Sequence, residues 1–283
     1  MSKWDKWIGQ TQEQSDILTP GLLDRFRATI DSEQMGSTAP QGIHWCLCLP
    51  SAATAQLDTD GHPLRGGFMP PIPLPRRMWA ASDVTFHSPL ILGATVTRRS
   101  TIAAITEKNG GSGLLIFVTM KHETMADGIV SITEEQTLVY REAPATSAAT
   151  AIAKVIATAA NKETIDVSNW HKRSTLVPSE ALLFRYSALT FNSHRIHYDR
   201  PYTIDKEGYR GLVVHGPLIA TLLLDTAAQA FGPNTLKQFS MRARSPAFAG
   251  EPLHFAYKAE GNAVTLIAQS KDGQIIMSAE AKM

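Results

Sequence analysis

A chain of 283 residues, 43% of them hydrophobic, can bury one large core or two small ones. Its 27 basic and 26 acidic residues leave a net charge of +1. No global field therefore draws in nucleic acid or an anionic membrane, and an anionic ligand must be caught by local cations.

The first residues, MSKWDKWIGQTQEQSD, lack the apolar core of a secretion signal and the arginine-rich pattern of a transit peptide. No apolar stretch reaches the roughly 20 residues a membrane helix needs. The expectation is a cytoplasmic protein. The segment Thr19 to Gln34 predicts a helix, capped by Thr19 and opened by Pro20, with Leu22, Leu23, Phe26 and Ile30 on one face. Cys46 and Cys48 stand too close for an unstrained disulfide and have no second ligand pair for zinc. They read as buried, reduced thiols, in keeping with a cytosolic compartment.

The prolines of GGFMPPIPLPRRMW (Gly66 to Trp79) force an extended path, read as a fixed loop packed on its domain. After Trp79 come four strand-like runs rich in Val, Ile, Thr and Phe, with hairpin turns at Asn109 to Gly113 and Ala126 to Gly128. An Ala/Thr-rich stretch then reads as a partly helical connector. A second pass of the same design follows. SPLILG (Ser88 to Gly93) returns as SPAFAG (Ser245 to Gly250), and Asp127-Gly128 returns as Asp272-Gly273, each pair leading into a final strand. This order predicts an α+β protein with two related domains, at residues 1–145 and 173–283, joined by a connector over 146–172.

One element distinguishes the halves. GPLIATLLLDTAAQAFGP (Gly216 to Pro233) predicts a helix that is apolar on nearly every face, started by Pro217 and stopped by Gly232-Pro233. At roughly 22 Å it suits a helix wrapped by a sheet. The first half offers only IHWCLCLPSAATAQL, which Pro50 interrupts, so its counterpart helix is expected to be shortened or lost.

Chemistry concentrates in TFNSHRIHYDRPY (Thr190 to Tyr202). His194 and His197 would make a metal pair if the segment were helical, with His215 or Asp199 as third ligand, but HxxH without a second motif is a weak zinc signal. The other reading joins this segment to VVHGPL. At Gly216 the first helical N–H groups are unpaired and the helix dipole favours negative charge. Such a site can stabilise an oxyanion or enolate, and a nearby histidine can act as base. On the residues alone, His197 and His215 could equally do no more than hydrogen-bond to backbone.

The stretch YSALTFNSHRIHYD…GLVVHGPLIATLLLD resembles the hydratase segment of MaoC-like, R-specific enoyl-CoA hydratases. The resemblance implies a hotdog fold, a curved antiparallel sheet around a long helix, here doubled. That family's Asp-x-Asn-Pro-x-His motif maps Asn192 to the aspartate and His197 to the histidine, and its Ala-His-Gly maps to the VHG ending at Gly216. His194 and Arg195 depart from the motif's Asn-Pro. An asparagine can orient water but cannot serve as a carboxylate base. The FN-x-HRIHYD variant and PPIPLPRRMWAASDVTFHSPL resemble the double-hotdog branch that includes mesaconyl-CoA hydratases and the mitochondrial 3-hydroxyacyl thioester dehydratases.

The resemblance implies hydration of an enoyl-CoA with Gly216 polarising the thioester, His197 as base, Asn192 positioning water and His215 beside the substrate. It implies no metal or redox cofactor, CoA entering only as part of the substrate. Mesaconyl-CoA or itaconyl-CoA, giving citramalyl-CoA in itaconate catabolism, is the favoured substrate. Arg65, Arg76 and Arg77 are candidates for its free carboxylate, and Arg242 and Arg244 for the CoA phosphates. The rivals are a long-chain 3-hydroxyacyl thioester dehydratase, marked by an apolar tunnel, and a non-catalytic acyl-thioester binder. A homodimer is the assembly to test.

Overall fold

The computed structural model describes residues 3–110, 113–142 and 163–283. The first half supplies β1 (Thr11–Ile17), α1 (Pro20–Ile30), β2 (Arg76–Phe86), β3 (Thr95–Gly110), β4 (Gly113–Ala126) and β5 (Ile129–Arg141). The second supplies β6 (His171–Leu176), α2 (Glu180–Leu189), α3 (Arg200–Asp205), α4 (Gly216–Phe231), β7 (Gln238–Ala243), β8 (Leu253–Glu260), β9 (Ala263–Ser270) and β10 (Ile275–Lys282). Most of the expected connector lies outside the described residues.

All ten strands form one sheet, in the order β1-β3-β4-β5-β2-β7-β10-β9-β8-β6. Read outward from the centre, the two sides match strand for strand. The join is the antiparallel pairing of β2 with β7, from Ala81↔Arg242 to Thr85↔Gln238. The repeat reaches further back than the Ser-Pro-x-x-x-Gly motifs. The strand–helix unit β1–α1 recurs as β6–α2, and the bridge Thr38↔Ile91 recurs as Val213↔Phe248. The motif itself has a backbone cause: Gly93 and Gly250 both take positive φ, at 91° and 81°, where a side chain would be strained.

Local signals fix α1 and α4 as the sequence predicts, with one difference, while α2 and α3 are additions to that expectation. Thr19 Oγ1 accepts from Leu22 N at 3.2 Å and caps α1. The helix stops at Ile30 rather than Gln34, because Asp31 turns left-handed, at φ 50°. In the second half α4 packs its apolar faces on β8, β9 and β10, burying Leu218, Leu223, Leu224 and Ala227. The first half has a short 3-10 turn at Thr54–Gln56 and another, Ile43–Cys46, where that helix would begin. Cys48 is left-handed (φ 52°) and Pro50 follows, so the turn cannot propagate. Both cysteines are buried and unpaired, and burial pushes the Cys46 thiol up to about 12. The proline segment packs as a fixed loop. Its Ile72 and Leu74 join Ile102, Ile116, Val118 and Tyr140 in a second core cluster.

Candidate active site

The loop after α2 is fixed by its own side chains. Phe191 turns left-handed (φ 46°), and Asn192 Oδ1 accepts from His194 N at 2.9 Å. Arg195 to His197 make one 3-10 turn. Asp199 pairs with Arg195 at 2.7 Å and caps α3 by accepting from Tyr202 N at 3.0 Å. Val213 N donates to Ile196 O at 2.9 Å, which ties the loop to the segment entering α4.

His197 is buried, and its Nδ1 lies 2.7 Å from Val213 O. A carbonyl only accepts, so Nδ1 carries the proton and Nε2 is a bare acceptor. Burial brings its pKa down to about 4, so the ring is neutral near pH 7. The backbone hydrogen bond and the base role are therefore compatible. His215 stacks on His197 at 3.6 Å, and its Nε2 lies 2.8 Å from Ser187 Oγ. Burial, together with the charges of His197 and His194, holds His215 well below its ordinary value.

His215 is the N-cap of α4 and Gly216 its first residue. The Gly216 N–H has no intrahelical acceptor, and Pro217 contributes no N–H of its own. A Cβ on Gly216 would stand 3.5 Å from the Trp79 ring, an ordinary contact. The protein's own packing therefore does not demand glycine there, and the open backbone suits the approach of a ligand carbonyl.

The chain matches the family model of hydroxyacyl-thioester dehydratase type 2 over residues 42–249. It is 40% identical to mesaconyl-C(4)-CoA hydratase of Chloroflexus aurantiacus, covering 99% of this chain and 98% of that protein. It is 26% identical to the mitochondrial hydroxyacyl-thioester dehydratase type 2 of Schizosaccharomyces pombe, covering 87% and 90%. A Mycobacterium tuberculosis protein described as a double hotdog fold superposes with a TM-score of 0.60 at 12% identity, covering 97% of this chain and 95% of that one. The chain belongs to the hydroxyacyl-thioester dehydratase type 2 family. It is a hydro-lyase with the double hotdog fold.

In this dehydratase-family chain the loop carrying His194 and His197 is clamped by a segment of the other half, which sequence reading passed over. Ser193 Oγ donates to Gly61 O at 2.5 Å, Arg195 N to Asp60 O at 2.9 Å, and Arg195 Nη1 to Thr59 O at 3.1 Å. Gly61 has φ 89°, and a Cβ there would fall 1.9 Å from Ser193 O, so only glycine fits. The clamp brings His62 against His194, ring centroids 4.1 Å apart, with Asp60 Oδ2 2.9 Å from His62 Nδ1. Burial and the charge of Arg77 bring His62 down to about 4, against the pull of Asp60. Burial brings His194 to about 2, with His62 adding to it. Burial works to raise Asp60, but the hydrogen bond and charge of His62 outweigh it and hold that carboxyl well below the usual range. The signal available in the sequence was Asp-Gly-His ahead of a proline.

The HxxH pair is not arranged as a chelate. The His194 and His197 rings are perpendicular at 5.5 Å, His215 stacks on His197 instead of converging with it, and Asp199 is engaged by Arg195. Among the described residues the grouping whose ligand atoms do converge, within 4.8 Å, is Asp60, His62 and His194.

An open cavity of about 2590 Å³ joins His62, Asn192, His194, His197, His215 and Gly216 to the concave face of the first half. The expected arginines divide there. Arg65 donates to Ile72 O and Leu74 O, both at 2.6 Å, and so holds the proline segment. Arg76 is paired with Glu207 at 3.0 Å and lies over Tyr209. Arg77 and Arg244 are in the wall, Arg244 with Glu163 at 3.8 Å. Arg242 is a correction: it lies outside the cavity wall, held on the surface by Asp83 at 3.1 Å.

The wall of the first half also carries residues that no motif announced. Ser100 faces His122 across β3–β4, and His122 faces Glu134 across β4–β5. Ser100 Oγ and His122 Nδ1 are 2.8 Å apart. Glu134 is buried and accepts from Ser82 and from Trp45 Nε1 (3.2 Å), with His44 at 3.7 Å. Burial opposes its ionisation, but His44, His122 and Ser82 outweigh that and bring it to about 2. Arg98 lines the same wall, donates to Cys48 O, and keeps a buried Nε without a partner among the described residues.

Proposed function

We propose that the protein hydrates the double bond of a short enoyl-CoA bearing a second carboxylate, mesaconyl-CoA or itaconyl-CoA, to citramalyl-CoA. The observation that carries this reading is the polar wall of the first half. Where a helix would have filled the concave face with apolar side chains, Arg98, Ser100, His122 and Gln136 line the cavity. These polar groups stand among apolar neighbours such as Met120 and Leu138, and a buried carboxylate needs the cation and hydrogen-bond donors they add. Glu134 is already satisfied by Ser82, Trp45 and His44, and His122 is engaged by Ser100 and Gln136, which leaves Arg98 for the ligand. The name of the Chloroflexus relative points the same way.

In the proposed mechanism the thioester oxygen accepts the Gly216 N–H at the start of α4. His197 Nε2 takes a proton from water as the water oxygen bonds to the β-carbon. In mesaconyl-CoA the conjugated double-bond electrons shift onto the thioester oxygen as an enolate. The carbonyl reforms as the α-carbon takes the proton back from His197. Itaconyl-CoA, whose double bond is not conjugated, would first lose an α-proton to His197 and regain it at the γ-carbon to become mesaconyl-CoA. Asn192 orients the water. Arg244 is the cation proposed for the CoA phosphates. The substrate enters with its own CoA, and the reading assigns the step no further cofactor. The two halves of one chain make one site, a homodimer is the proposed assembly, and reduced Cys46 and Cys48 fit a cytoplasmic location.

The test is a panel of CoA thioesters followed by loss of enoyl absorbance. Mesaconyl-CoA is expected to turn over at least 100-fold faster, in kcat/KM, than crotonyl-CoA, since a buried cation left unpaired is costly. Equal turnover of both, with better turnover of long 3-hydroxyacyl thioesters, would overturn the substrate assignment in favour of a fatty-acyl dehydratase.

A further inference from the structure

Water that adds to a double bond has two hydrogens to place while its lone pair faces the β-carbon. One goes to His197 Nε2. The residue matching the family motif's aspartate is Asn192, a neutral amide whose Oδ1 already accepts from His194 N on one of its two lone pairs. Its remaining group, Nδ2, is a donor and would compete for the lone pair. The loop by itself therefore lacks the carboxylate acceptor of the family motif.

The other half brings one to the same cavity. His62 lines the wall beside His194, and both of its anchors are on Asp60: Nδ1 at 2.9 Å from Oδ2, and its backbone N donating to Oδ1 at 2.8 Å. A carboxylate bonded to Nδ1 fixes the proton there and leaves Nε2 as acceptor. The segment is held against the catalytic loop by the three hydrogen bonds from Ser193 and Arg195 and by the absence of any side chain at Gly61.

We propose that the Asp60–His62 pair of the N-terminal half is part of the hydration machinery and replaces the carboxylate that Asn192 lacks. His62 Nε2 receives the second hydrogen of the attacking water while His197 takes the first. Asp60 is a positioning residue that sets the tautomer of His62. No net proton change results: the proton accepted by His197 returns to the α-carbon, and the second hydrogen stays on oxygen as the product hydroxyl. The inference rests on the hydratase reading of the site but not on the identity of the acyl group.

The experiment compares wild type, His62→Ala, Asp60→Asn and the double variant His62→Ala/Asn192→Asp, on mesaconyl-CoA and crotonyl-CoA, with thermal midpoints measured for each. Loss of kcat by about 100-fold in His62→Ala, with KM little changed, is expected for a group acting in proton handling. Asp60→Asn should fall by about 10-fold. Asn192→Asp should restore at least 10-fold in the His62→Ala background, because it returns a carboxylate acceptor to the loop. A residue that merely braced the loop would not be rescued in this way. Wild-type kcat in His62→Ala would overturn the proposal, as would a loss that Asn192→Asp leaves unrepaired. A wild type that hydrates neither thioester would overturn the hydratase reading itself, a separate outcome.

Discussion

The two halves share one strand order and differ in what fills their concave faces. In the second half, α4 lays Leu218, Leu223 and Leu224 on β8 to β10, and the space is closed. In the first half the corresponding chain makes two short 3-10 turns, Ile43–Cys46 and Thr54–Gln56, and the exposed sheet face is lined by Arg98, Ser100, His122 and Glu134. The duplicated unit has thus been divided between tasks. One copy keeps the helix whose N-terminus, at Gly216, is proposed to polarise a carbonyl. The other gives up its helix and gains a chamber. Neither copy holds a complete site, because the loop carrying His197 is buttressed from residues 59–61 of its neighbour.

The sharpest break in that division is in the second half. Replacing His197 by Ala should lower turnover by about 1000-fold or more, as expected for loss of a general base. The fold should survive, since the loop keeps its Asn192, Asp199 and Ser193 hydrogen bonds. Stopped-time product assays with circular dichroism melts check this. Near-normal turnover would remove His197 from the base role.

The first half is probed through Arg98. Arg98→Met should lower kcat/KM on mesaconyl-CoA by about 100-fold and leave crotonyl-CoA within a few-fold, the signature of one partner lost from a buried charge pair. Equal losses on both substrates would make Arg98 a structural group bound to Cys48 O.

The clamp between halves is tested at Gly61. Gly61→Ala puts a Cβ 1.9 Å from Ser193 O on a residue at φ 89°. The segment must shift, and with it His62. Turnover is expected to fall by about 10-fold or more, along with the thermal midpoint. An unchanged variant would mean that the segment moves freely without consequence.

What the sequence reveals of this division follows from distance along the chain. The helix α4, its glycine start and the loop histidine are written in neighbouring residues, so punctuation and spacing disclose them. So does the loss of the first helix, through Pro50. The clamp is not disclosed, because Gly61 and Ser193 lie 132 positions apart and a single sequence carries no sign of their contact. Arg98, Ser100, His122 and Glu134 mislead for a different reason. In a strand covered on one face, alternating polar residues read as the solvent side. Here they face a chamber, and nothing in the alternation says that the helix meant to cover it has gone. Arg242, on a similar strand, does stand on the outer surface with Asp83.

The cluster of histidines between the halves also ties stability to pH. His62 and His197 are held near 4 in the fold, below their ordinary value near 6.5. The unfolded chain therefore binds protons more readily between those values, and stability is lost as pH falls from about 6.5 toward 4. Glu134, brought to about 2, extends the loss below pH 4.5. Unfolding free energies from urea titrations between pH 7.5 and 4.5 should fall by an amount on the order of a few kcal/mol. A flat profile over that range would show that these rings are not held neutral.

The smallest effect is expected from metal removal. Exhaustive dialysis against a chelator should leave turnover on mesaconyl-CoA within error of the untreated protein. His197 spends Nδ1 on Val213 O and stacks flat on His215, so it cannot share a metal with His194 in the manner an HxxH motif suggests. The converging set is Asp60, His62 and His194, and it brings the two halves into the question directly. If those residues form a hydrogen-bonded acceptor pair beside the catalytic loop, chelation changes nothing and added zinc inhibits by occupying the acceptors. If turnover instead vanished with chelator and returned with zinc, the first half would contribute a metal ligand set in place of a water-orienting histidine, and the division between the two copies would have to be redrawn.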